Sequence, residues 1–141
     1  MYTAQYIFFL APNVSNTHIF CIIIAFDCCV MENVIRNAIK YTGPNALVVV
    51  HCFVETVAKR VRVQVDDDGP GVAPEQLNLL FNSFFRNHSS SDGVGLGLSI
   101  AKRAVEACAG HIYAENRLDP QQQQLGLRVV IELPLLSASS D

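Results

Sequence analysis

The sequence predicts an α+β fold, a two-layer α/β sandwich whose mixed sheet carries its helices on one face. Three observations lead there. Segments of strand composition come in consecutive pairs, at 46–67 and again at 111–134, and segments with helical spacing lie near 26–41 and 96–109. Half of the 141 residues are apolar against 16% charged, enough for one ordinary domain with a packed core.

Taken in order, "QYIFFLAP" reads as a strand ended by proline, and "HIFCIIIAF" suits either a buried strand or a helix start. Val30, Met31, Val34, Ile35, Ala38 and Ile39 then recur at helical spacing and define an amphipathic helix over 26–41. "ALVVVHCFV" at 46–54 has strand composition, and "RVRVQVD" alternates Val61, Val63 and Val65 with Arg60, Arg62 and Gln64. "DGPG" is a turn, and Pro74 opens a short helix through Phe81. A polar loop leads to a helix over 96–109 stopped by Gly110. "HIYAEN" and "LGLRVVIEL" are two closing strands, the latter alternating Leu127, Val129, Ile131 and Leu133. "HSSSDG" and "PQQQQ" read as loops.

Composition excludes several functions. A formal charge of −3 leaves no basic footprint for nucleic acid. Five cysteines, an odd number without a C-x-x-C pair, suit reduced thiols better than disulfides or zinc. The longest apolar run, Ile19 to Phe26, has eight residues, far below the ~20 that span a bilayer. No signal-peptide pattern opens the chain. The expectation is a cytoplasmic domain without direct membrane contact, a reading that equally suits one domain of a larger inner-membrane protein.

Three constellations carry chemistry. On the predicted helix, Asn33, Asn37, Lys40 and Tyr41 share one stripe opposite the Val/Ile face. Carboxamides one turn apart offer neutral oxygens to magnesium, and Lys40 offers a point charge to phosphate. The same stripe equally suits a solvated face, with Glu32 and Arg36 as an i,i+4 pair. In "VDDDGPGV", Asp67 continues the inward parity of Val61, Val63 and Val65, whereas Asp66 and Asp68 point the other way. An inward carboxylate needs donors, and one on an exocyclic amine of a purine would serve. Gly69 and Gly71 would let a ring approach the backbone, although a charged turn also explains them. Third, Gly93, Gly95 and Gly97 open a helix; the spacing is neither a Rossmann turn nor a Walker loop, and a helix N-terminus favours an anion.

In order along the chain, "ENVIRNAIKYT", "DDDGPGV", "FNSFFR" and "GVGLGL" resemble the four boxes of the GHKL ATP-binding family, over residues 30–134. Within it, "MENVIRNAIKYT", "VDDDGPGV" and "GLRVVIELPL" are most similar to the catalytic domains of bacterial sensor histidine kinases, in particular CpxA-type envelope-stress kinases. The resemblance implies a Bergerat sandwich holding ATP and Mg2+ between the Asn helix and a mobile lid. It implies Asp67 for the adenine amine, Asn37 with Asn33 at the magnesium, Lys40 and Tyr41 near the phosphates and nucleotide edge, and Arg86 at phosphate. Gly93, Gly95 and Gly97, with Leu96 and Leu98 beside them, would shape the lid's end.

Family members that hydrolyse ATP carry a glutamate where this chain has Asn33, and a carboxamide cannot take a proton from water. Transfer to another acceptor is therefore favoured over hydrolysis. None of His18, His51, His88 and His111 fits a phosphoacceptor motif, so the acceptor is expected on a separate dimerisation helical hairpin, with a response regulator downstream. The expected organisation is an atypical segment at 1–25, lacking the family's usual Gly-Asp or Gly-Asn turn, the ATP-binding domain at 26–136 and a disordered tail at 137–141. A GHKL-like regulatory module without catalysis and an anti-sigma-type serine kinase are the competing readings.

Overall fold

A computed structural model describes residues 5–10, 28–43, 45, 47–85 and 97–135. Strands β1 (Gln5–Leu10), β2 (Leu47–Glu55), β3 (Arg60–Asp67), β4 (His111–Leu118) and β5 (Gln124–Pro134) form one sheet. Among the described residues the α-helices are α1 (Cys28–Thr42) and α2 (Gly97–Ala107). The strand order is β1-β2-β3-β5-β4. β1 runs parallel to β2, and every other neighbouring pair is antiparallel. This is the mixed sheet and α+β sandwich that the alternating and helical periods predict, with element ends moved by one or two residues. The "HIFCIIIAF" segment and the tail at 137–141 lie outside the described residues.

The core explains why these periods become these elements. Val48, Val50, Cys52 and Val54 of β2 and Val61, Val63 and Val65 of β3 point to one face, with Leu127, Val129, Ile131 and Leu133 of β5. Val30, Val34 and Ala38 of α1 and Leu98, Ala101 and Val105 of α2 cover them, so all of these side chains share one cluster. Burial raises the Cys52 thiol above its ordinary pKa. Cys108, by contrast, is exposed.

Local signals resolve differently in two places, after Pro74 and at Gly110. The predicted short helix after Pro74 is two 3-10 turns, Pro74–Gln76 and Asn78–Phe81, which bury Leu80 and Phe81. At the end of α2, Ala109 takes the left-handed conformation (φ 59°) and the Gly110 amide bonds back to the Val105 carbonyl at 2.9 Å. Gly110 is needed for space: a Cβ there would lie 2.6 Å from the Glu132 carbonyl oxygen. The glutamine-rich loop is a turn organised by Asp119, whose Oδ1 accepts the amides of Gln121 and Gln123 at 2.9 and 2.8 Å.

The open face of the sheet is roofed by its own long side chains. Val130 lies there, opposite Gln64 and Tyr113, and is 0% exposed. Arg62 donates to the Tyr113 hydroxyl at 3.0 Å, and Arg60 bridges Glu55 and Glu132.

The helix-facing row of β5 should dominate stability. Replacing the fully buried Ile131 with alanine is expected to cost about 2–5 kcal/mol. Urea unfolding checks it, with a fallen midpoint and an unchanged slope as the expected result.

Candidate functional site

Asp67 ends the inward row of β3, opposite Val48 of β2, and is only 3% exposed. Its Oδ1 accepts two backbone amides, Gly69 at 2.9 Å and Leu127 at 3.1 Å. Both bonds use the same oxygen, which leaves Oδ2 as the carboxylate's second acceptor. Burial pushes its pKa above the ordinary value, opposed by the two amides and by the Arg117 charge. The parity of β3 thus brings a carboxylate to the helix-facing side, and the turn after it supplies one of its two donors.

Thr42, the last residue of α1, closes over this end. A Cβ on Gly69 would meet Thr42 Oγ1 and Asp67 Oδ1, each at 3.1 Å, so glycine lets helix and turn approach. Thr42 Oγ1 itself donates to the Ala38 carbonyl at 2.8 Å. Gly71 has φ +67° and a Cβ there would overlap the Gln124 side chain. Its smallness therefore serves contact with β5 as well as any ligand.

At the other end, Asn33 of α1 lies beside the first residue of α2: a Cβ on Gly97 would be 3.5 Å from Asn33 Oδ1. Between Asn33 and Thr42 run Asn37 and Tyr41, half-buried, and Lys40, exposed. The nine residues from one to the other span about 13 Å of helix axis. α1 therefore joins a buried acceptor at one end to paired carboxamides and a helix N-terminus at the other. Leu98 belongs to the core; only its backbone is available to a ligand. Arg86, Gly93, Gly95 and Leu96 lie outside the described residues.

Glu32, the acid adjacent to Asn33, pairs with Arg36 on the outside of α1 and is 58% exposed. His51 lies in β2 and His111 begins β4. Among the described residues no three His, Cys, Asp or Glu side chains are gathered to hold a metal. No described helix is long and apolar enough to cross a membrane.

Sequence reasoning missed the groups that shape the turn. Asn116 of β4 accepts the Val72 amide at 3.0 Å through Oδ1 and donates to the Val72 carbonyl at 2.6 Å through Nδ2. Gln124 donates to Asn116 Oδ1 at 3.1 Å and to the Gly126 carbonyl at 2.8 Å. Asp66, which points away from Asp67, is also buried, at 4% exposure. No periodicity signals these partners, because they come from strands 44 to 62 residues away.

Fold and site define a two-layer nucleotide domain of the GHKL class. The chain belongs to the family described as histidine kinase-, DNA gyrase B- and HSP90-like ATPases, which its residues 29–137 match. It is 37% identical over 117 residues to the sensor histidine kinase CpxA of Escherichia coli K12. That match covers 77% of this chain and 23% of CpxA, so the chain spans under a quarter of that relative's length. Among solved structures, the mycobacterial sensor histidine kinase MprB superposes with a TM-score of 0.74 at 27% identity, over 93% of this chain and 83% of that one. Full-length ShkA, solved with AMPPNP, gives a TM-score of 0.70 at 25% identity, over 97% of this chain and 27% of that one.

Two outcomes follow for the Asp67 end. Because its folded pKa is raised, Asp67 supports the fold fully below its unfolded value of 3.8, and this contribution is lost as pH rises through the folded value. Without nucleotide, Asp67→Asn should therefore raise Tm at pH 7, with the gain over wild type vanishing as pH falls toward 3.8. An Asn oxygen still accepts both amides. Asn116→Ala strands the Val72 backbone groups and should cost about 1–3 kcal/mol, read by thermal unfolding.

Proposed function

We propose that this chain is the ATP- and Mg2+-binding catalytic domain of a sensor histidine kinase, donating the γ-phosphoryl group to a histidine on a helical hairpin. The observation that carries the reading is the second oxygen of Asp67, Oδ2, which accepts no hydrogen bond among the described residues. One carboxylate oxygen is committed to Gly69 and Leu127, and the other suits the exocyclic amine of adenine, whereas a purine carbonyl there would meet an acceptor.

The α1 stripe serves the other end of the nucleotide. Lys40 and Tyr41 would meet the phosphates and nucleotide edge, and the start of α2 at Gly97 would offer a helix N-terminus to an anion. Asn37 and Asn33 each offer one neutral oxygen. That donor set fits magnesium when phosphate and water supply the remaining ligands, and the bound ion would then screen the phosphate charge. Arg86, Gly93, Gly95 and Leu96 would complete the phosphate end.

In the transfer, the γ-phosphorus bonds to a ring nitrogen of the acceptor histidine while its bond to the β–γ bridging oxygen breaks. ADP leaves with that electron pair, and the imidazole proton passes to water. Positioning and charge neutralisation carry such a step. Hydrolysis is disfavoured because Asn33 cannot act as a base and Glu32 is turned outward to Arg36. A response regulator would receive the phosphoryl group next, and the domain would work in the cytoplasm. The domain itself would comprise residues 26–136, with 1–25 as a divergent lead-in.

Titration with a fluorescent ATP analogue tests the reading. Saturable binding strengthened by Mg2+ is expected, with Asp67→Asn weakening it about tenfold or more. No saturable binding, or identical binding in the variant, would contradict the adenine assignment. With radiolabelled ATP and a separately supplied acceptor hairpin, acid-labile label on the hairpin histidine is expected; acid-stable label on serine would favour a serine kinase instead.

A further inference from the structure

On the open face of the sheet, directly behind Asp67, lies a buried carboxylate that the nucleotide reading does not use. Asp66 takes Arg128 Nε at 2.7 Å and Nη2 at 2.9 Å, a two-point grip. Arg117 Nε is 3.5 Å and His51 Nε2 3.9 Å from Asp66 Oδ2. Arg128 faces Asp66 in the β3–β5 register. Arg117 comes from β4, one strand further out, and passes over β5 where its partner is Gly126.

The second arm of Arg117 reaches the main chain. Its Nη1 donates to the carbonyl oxygen of Asp67 at 2.6 Å. One guanidinium therefore ties the side chain of Asp66 to the backbone of Asp67. Because successive side chains of a strand leave opposite faces, holding Asp66 outside and the Asp67 carbonyl in place fixes the direction of the Asp67 carboxylate inside. Gly126 tightens the same point: with φ +145°, a Cβ there would lie 1.9 Å from that carbonyl oxygen. β5 can sit this close only without a side chain.

Stability alone is a weak reason for such a network. A buried ion pair often gains little over apolar residues of the same volume, whereas this one also fixes the Asp67 carbonyl through Arg117. We propose that Arg117, anchored by Asp66 and Arg128, is a positioning residue for base recognition, setting the orientation in which Asp67 offers its second oxygen to an amino-purine. This rests on the reading that Asp67 meets adenine.

Paired titrations of the full chain with ATP and with inosine triphosphate, whose base carries a carbonyl in place of the amine, test it. Wild type should prefer ATP; equal affinities would refute the Asp67–adenine reading itself, whatever Arg117 does. Given that preference, Arg117→Met should weaken ATP about tenfold and inosine triphosphate by less than about twofold, so that their ratio collapses. Equal weakening of both nucleotides, or no change in either, would overturn the positioning role. Should Arg117→Met fail to fold by circular dichroism, Arg117→Lys decides, since one ammonium cannot reproduce the two-armed hold. A ratio lowered at least about threefold then supports the role, and a wild-type ratio overturns it.

Discussion

The carboxylate of Asp67, buried yet held by the Gly69 and Leu127 amides, is the constraint on which the site depends. A carboxylate in an apolar setting is unfavourable unless donors meet it. Among the described residues, two backbone amides meet one oxygen, Oδ1. Satisfying it requires β5 to lie against the end of β3, the Gly69 turn to fold back, and α1 to end at Thr42 above both. Each requirement rests on a small residue or a long-range hydrogen bond more than on hydrophobic burial.

The two layers divide the work. The helix-facing side of the sheet is a continuous apolar row capped by Asp67, so the core itself delivers the carboxylate to its place. The open side is an ionic lattice in which Asp66, Arg117 and Arg128 meet at the same strand end. Arg117 couples the two faces through one peptide carbonyl. α1 then runs from that point, past Asn37, to Asn33 beside Gly97.

Much of this was legible in local sequence. Period-two alternation placed β3 and β5, helical spacing placed α1 and α2, and strand parity singled out Asp67 from three consecutive aspartates. Other features were not legible, for a physical reason. Parity directs Asp66 to the face opposite Asp67 but does not report its burial; its cover comes from Arg128 and Arg117, whose approach depends on register across three strands. Asn116 and Gln124 hold the DGPG turn from a different hairpin, so no local pattern marks them. At the end of α2, the glycine signal marked the right place for the wrong cause, since Ala109 takes the left-handed turn and Gly110 makes room for β5.

In the proposed function, the Asp67 end and the Asn33–Gly97 end are two parts of one nucleotide site. Amide resonances followed by NMR during titration with ATP and Mg2+ test it most directly. Gly69 and Leu127 at one end and Gly97 at the other are expected to shift together and fit one dissociation constant. Shifts confined to one end, or two separate constants, would contradict it.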